Sequence, residues 1–149
     1  MSRMATAVHI VTTDGAAGRF GATVSAVCSV TDTPPCLLVC LNRTSRVHAA
    51  ILSNGVFCVS TLPAGAEPLA DAFAGRTQIA MDERFALARW DALATGAPAL
   101  ATASVNADCK VLRTMEMGTH SIIVGALQGV RYGAVGETLV YKDRAYRAL

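Results

Sequence analysis

Small hydroxyl residues recur through one apolar stretch, Gly21–Thr31 (GATVSAVCSVT). Pro34-Pro35, the apolar run Leu37–Leu41 and the segment Asn42–Arg46 (NRTSR) follow it. In order, these predict a strand, a turn, a second strand and a helix start. Small hydroxyl residues on a strand let a planar ligand come close to the backbone. A helix N-terminus beside Arg43 and Arg46 offers amide donors and positive charge to an anion. Together they suit a flat heteroaromatic ring that carries a phosphate. Two plainer explanations stand beside that one. Hydroxyls are common on strands, and Ser45 can cap a helix between solvated arginines without any ligand.

Other chemistries are poorly served. Gly15, Gly18 and Gly21 have the wrong spacing for GxGxxG and fall in a turn, and there is no GxxxxGK[ST] loop. Neither a nucleophile elbow nor a local carboxylate pair occurs. A nucleotide would therefore be held without a Rossmann crevice or a P-loop. The five cysteines (28, 36, 40, 58 and 109) form no CxxC, and four lie in apolar, strand-like runs. That is the pattern of buried free thiols in a reducing compartment. Without HExxH or paired CxxC spacing, no zinc or other metal site is expected. Cys109 and His120 as nucleophile and base rest on their presence alone.

These residues need elements to position them, and the chain is long enough to build them. At 149 residues, one domain spanning 1–149 with a substantial core is expected. Hydrophobic residues make up 52% and charged residues only 16%, a surface expected to be partly buried in an oligomer. The net charge of +2 argues against a nucleic-acid partner. The longest apolar runs, such as Cys36–Leu41 and Ile122–Leu127, are strand length and far short of a bilayer span. Met1–Val8 lacks the apolar core of a signal peptide, so the default expectation is cytoplasmic, with no membrane partner.

Most segments predict strands: Ala7–Thr13, Ala22–Thr31, Cys36–Leu41, Val56–Leu62, Ala103–Glu116, Ser121–Tyr132 and Thr138–Tyr141. Ser45 is placed to cap a helix over Arg46–Ser53, which Asn54-Gly55 would stop. Glu67–Phe73 predicts a second helix, ending at Gly75. Thr77–Thr95 is mixed and is expected to cover an edge or a site. Many strands with few, short helices predict a mainly β Greek-key barrel rather than a parallel sheet.

The order of these segments carries a resemblance. Ala7–Thr13, Gly21–Thr31 with Pro34-Pro35, Asn42–Arg46, Asn54–Leu62, Phe73–Gly75, Gly118–Ile122 and Leu139–Tyr141 follow one another as in flavin reductase-like proteins. These are the short NAD(P)H:flavin reductases that serve two-component monooxygenases. The chain is similar to the subgroup of 4-hydroxyphenylacetate monooxygenase reductase components and pyrimidine-utilisation flavin reductases. Order and spacing carry the likeness over nearly the whole chain; no single motif does. Members usually carry a segment ahead of the first strand, so a short member, or the ordered part of a longer protein, is expected here.

The resemblance implies a split β-barrel, a homodimer, and FMN or FAD in a groove at the dimer interface. It further implies NADH or NADPH as hydride donor and a partner oxygenase that receives the reduced flavin. The implied flavin contacts are Thr23, Val24, Ser25, Ser29, Val30 and Thr31, through backbone as much as side chains, where charge on the reduced ring would be stabilised. Asn42, Arg43, Thr44, Ser45 and Arg46 are implied at the phosphate, and Phe73, Ala74 and Gly75 as the opposite wall. Phe73 has an equal claim to the core. His120 is implied on the nicotinamide side, against the alternative of a buried structural histidine. Tyr141 and Arg144 are implied to close that side, whereas His9 and His48 have no comparable setting. Two other functions are compatible with the residues: a reductase of ferric iron or a cobalt corrinoid, and a non-catalytic flavin-binding dimer.

Overall fold

A computed structural model describes residues 1–149. The chain opens with strands β1 (Thr6–Ala7), β2 (His9–Thr13), β3 (Phe20–Val24), β4 (Val27–Asp32) and β5 (Pro35–Asn42). Helix α1 (Arg46–Asn54), strand β6 (Val56–Thr61) and helices α2 (Glu67–Phe73) and α3 (Met81–Phe85) come next. Short strands β7 (Trp90–Ala92) and β8 (Pro98–Leu100) precede the long hairpin of β9 (Val105–Met117) and β10 (His120–Tyr132). A last hairpin joins β11 (Leu139–Lys142) to β12 (Ala145–Ala148).

Seven antiparallel strands form the main sheet, in the order β3-β2-β6-β9-β10-β5-β4. Strands β3 and β4 are consecutive in the chain yet occupy opposite edges. In a flat sheet, six steps of about 4.8 Å would separate those edges by roughly 29 Å. The link from Val24 to Val27 reaches only about 11 Å. The sheet must therefore curl until its edges almost meet, which makes it a split barrel, open between β3 and β4. The expected single strand over Ala22–Thr31 is corrected accordingly. It breaks at Ser25-Ala26, where the Ala26 carbonyl accepts from the Cys40 amide at 3.0 Å.

One core fills the curled sheet, where Val47 and Ile51 of α1 pack with Val39, Phe57, Val59 and Ile123. A second lies outside it, where Phe73 and Phe85 from the helices meet Ile10, Leu62, Leu100 and Leu139. Local chemistry sets both ends of α1. The Ser45 hydroxyl accepts from the His48 amide, and Gly55 at φ 74° donates its N–H to the Ile51 carbonyl at 2.8 Å. Gly21 meets a different demand. A Cβ there would stand 2.8 Å from the Phe73 ring, so β3 and α2 pack together only around a glycine.

The thiols are free, with Cys36, Cys58 and Cys109 buried. Burial pushes Cys58 and Cys109 up to about 12. Cys109 pairs with Leu127, seven residues along β10 from His120, or roughly 24 Å. The two are no nucleophile–base pair. No helix is long and apolar enough to cross a membrane.

Candidate functional site

As an edge strand, β3 leaves one side of its backbone unpaired. Three concavities meet along Gly21–Ser25. The first, of about 320 Å³, lies between the β3–β4 link, the end of β5 and the start of β10, and includes Thr23, Ser25, Asn42, Ser45 and His120. The second, also about 320 Å³, lies between the start of α1 and the α2–α3 segment, and includes Ser45, Arg46, Ala74, Gly75 and Arg84. The third, about 160 Å³, includes Thr23, Val24, Ser25, Ala74, Arg76, Tyr141 and Tyr146. Shared walls, Thr23–Ser25, Ser45 and Ala74, join them into one open cleft.

The anion-binding end is built by α1. Its first-turn amides have no intrahelical acceptor, and its N-terminus carries partial positive charge. The Ser45 hydroxyl is already engaged twice, donating to the Asn42 carbonyl at 2.7 Å and accepting from the His48 amide at 3.2 Å. It can donate to a ligand only by giving up Asn42. The Arg46 guanidinium lies 5.1 Å from the centre of the Phe20 ring, with no carboxylate partner. Arg43 turns the other way, to Glu116 at 3.0 Å and the Gly118 carbonyl at 3.3 Å. Thr44 folds back on the Asn42 side chain, its amide donating at 2.9 Å and its hydroxyl at 2.8 Å. Arg43 and Thr44 therefore line a separate polar hollow with His48 and Glu116, away from Arg46.

On the opposite wall, Ala74 and Gly75 are exposed at the end of α2, with Gly75 at φ 77°. Phe73 is 2% exposed and packs edge-on against Phe85 and Trp90, and it also borders the second concavity, so it is a core residue that backs the wall. The Thr23 hydroxyl donates to the Ala70 carbonyl at 2.6 Å, tying β3 to α2. Ser29, Val30 and Thr31 lie on β4, exposed, outside the three concavities. The single strand expected over Ala22–Thr31 would have kept these residues beside Thr23, but the Ser25-Ala26 break carries the chain to the other edge of the sheet.

His120 is exposed at the first residue of β10, its Nδ1 2.9 Å from the Thr119 hydroxyl. The buried-histidine alternative fits other residues. His48 bonds Ser121 at 2.8 Å, and His9 bonds Thr61 at 3.0 Å with burial pushing it down to about 4. Tyr141 reaches the third concavity, its ring 5.3 Å from that of Tyr146. Arg144 sits in the β11–β12 turn at φ 62°, outside the cleft.

Sequence reasoning missed Arg76, Arg84 and Tyr146. Asp71 accepts from Arg76 at 2.7 Å and from the Tyr146 hydroxyl at 3.0 Å. Burial, followed by the Asp71 hydrogen bond, pushes Tyr146 up to about 12. No local motif marks these residues; tertiary packing brings them to β3.

The chain and its fold have counterparts among known proteins. The chain matches the flavin reductase like domain over residues 1–149, and it belongs to that family. It is 49% identical to FMN reductase (NADH) RutF 1 of Methylorubrum extorquens, over 100% of this chain and 73% of that protein. FMN reductase (NADH) RutF of Shigella dysenteriae serotype 1 is 50% identical, over 100% and 97%. Among solved structures, BorF, the flavin reductase component of a bacterial two-component tryptophan halogenase, is 32% identical with a TM-score of 0.92, over 99% of this chain and 92% of that one. NADH:FAD oxidoreductase SgcE6 of Streptomyces globisporus C-1027, in complex with NAD and FAD fragments, is 27% identical with a TM-score of 0.89, over 98% and 86%.

Proposed function

We propose that this chain is an NADH-dependent flavin reductase, with FMN as its flavin, that passes reduced flavin to a partner oxygenase. One observation carries the reading. A free strand edge, Gly21–Ser25, borders two concavities that share Ser45: Arg46 and the start of α1 line one, and an exposed histidine, His120, lines the other. That donor set fits a flavin: backbone groups for the ring edge, amides and a guanidinium for the phosphate. The names of the RutF relatives support FMN and NADH, and the name of BorF supports a component role.

When bound, the flavin supplies the centre that accepts hydride from the nicotinamide. The chain's own residues place the two rings. The backbone at Thr23–Ser25 holds the ring edge, the start of α1 and Arg46 hold the phosphate, and Ala74 and Gly75 flank it. His120 orients the nicotinamide; hydride transfer would require the donor carbon of the nicotinamide to be positioned against the acceptor nitrogen of the flavin, and no essential base. Tyr141 borders the same cleft.

A homodimer belongs to this reading. Val30 on β4, with Leu112, Met115 and Met117 on the distal half of β9, are 49–60% exposed. A second copy covering that apolar face would bury them, with Ser29 and Thr31 within it. NADH oxidation measured with and without added FMN tests the activity. Stimulation by FMN supports it; an FMN-independent background rate would leave a flavin-binding dimer without reductase activity.

A further inference from the structure

Of the eleven arginines, only Arg84 and Arg131 are half-buried. Arg131 is matched by Asp91 at 2.7 Å. Arg84 has no carboxylate partner: its Nε donates to the Ile79 carbonyl at 3.1 Å, and its Nη groups have no acceptor in the chain. The nearby Asp82 is turned to Arg19 at 3.4 Å. Those unpaired Nη groups are open to solvent through the concavity, on a guanidinium held in place by Ile79, so an anion entering the concavity meets a free, pre-positioned donor fork. Arg84 lines the same concavity as Ser45 and Arg46, and its Nη2 lies 3.9 Å from where a Cβ on Gly75 would stand.

We infer that Arg84 is a second guanidinium for the flavin's phosphate and sets a preference for a phosphate monoester, FMN, over FAD. The inference rests on the reading of this cleft as the flavin site. A monoester carries about −1.5 to −2 on one phosphorus near neutral pH, which two guanidiniums match. Each phosphorus of FAD carries a single charge, and riboflavin carries none.

The test is the affinity of FMN, FAD and riboflavin, by flavin fluorescence quenching, for the wild type and for Arg84→Gln, Arg84→Lys and Arg46→Gln. For Arg84→Gln the expectation is an FMN affinity weaker by about tenfold or more, a smaller loss for FAD and an unchanged riboflavin affinity. Arg84→Lys should recover part of the FMN affinity. Equal losses for FMN and riboflavin would make Arg84 a packing residue and overturn the inference, with Arg84→Lys deciding if the Gln variant is unfolded. If Arg46→Gln weakens FMN selectively while Arg84→Gln does not, Arg84 has no such role and the cleft reading stands. If neither variant alters FMN relative to riboflavin, the phosphate lies elsewhere and both fail.

Discussion

His120 stands directly opposite Asn42 across the ladder between β10 and β5. Asn42 is the last residue of β5, and its side chain and carbonyl turn the chain into the Ser45 cap of α1. One rung of the sheet thus fixes the distance between the imidazole and the helix start. In the proposed reading it sets the nicotinamide end of the cleft against the phosphate end, on rigid backbone rather than on a mobile loop.

Replacing His120 by Ala should slow flavin reduction more than it weakens flavin binding. His120 is exposed and bonded only to its neighbour Thr119, so its removal leaves the core intact. A loss of roughly ten- to a hundredfold is expected, as for one or two positioning contacts at about 1.4 kcal/mol per factor of ten. Anaerobic stopped-flow reduction of pre-bound flavin separates the two effects. A wild-type rate at every NADH concentration would remove His120 from the site.

Gly21→Ala should destabilise the fold where the cleft is built. The added Cβ meets the Phe73 ring at 2.8 Å and the Thr12 methyl at 3.3 Å, both in packed surroundings. A cost of about 1–3 kcal/mol is expected, read as a lower melting temperature. An unchanged melting temperature would mean that β3 and α2 separate more easily than their packing implies.

Acid should weaken the fold partly through His9. Burial pushes it down to about 4, whereas in the unfolded chain it takes its proton near 6.5. The stability it contributes is complete above about pH 6.5 and is lost as pH falls through about 4. Melting temperatures measured from about pH 7 to about pH 4.5 should fall more steeply for the wild type than for His9→Gln. Parallel curves would contradict this.

Much of this architecture was legible because local chemistry marks it. Helix α1 was predicted from Ser45 and Asn54-Gly55, and α2 over Glu67–Phe73, each within a residue of its observed bounds. The break at Ser25-Ala26 was not legible: no glycine or proline marks it, and the curl of the whole sheet imposes it. Strands β7, β8 and β12 and helix α3 were also missed, being at most five residues long and held by tertiary packing. Within the site, Thr23, Ser25, Ser45, Arg46 and His120 converge on one cleft. Phe73 is buried in the core while bordering the second concavity, and Arg43 and Thr44 turn away from it, because neither an aromatic ring nor an arginine reveals from sequence which side of its backbone it faces. Arg84 lay in a stretch expected only to cover an edge or a site, which α3 does.

The apolar face on β4 and β9 should be the seat of dimerisation. Leu112→Glu combined with Met115→Glu places two charges on exposed positions, so the fold should survive while self-association is lost. Light scattering should give twice the 15.5 kDa chain mass for the wild type and the single mass for the variant. A wild-type mass of one chain at micromolar concentration would contradict the dimer.

The central claim is tested most directly by mixing the purified protein anaerobically with FMN and NADH and following the loss of flavin absorbance. The account predicts bleaching much faster than in the absence of protein, saturable in FMN, with riboflavin requiring a higher concentration than FMN because Arg46 and the start of α1 hold the phosphate. Bleaching no faster than the protein-free reaction would contradict it.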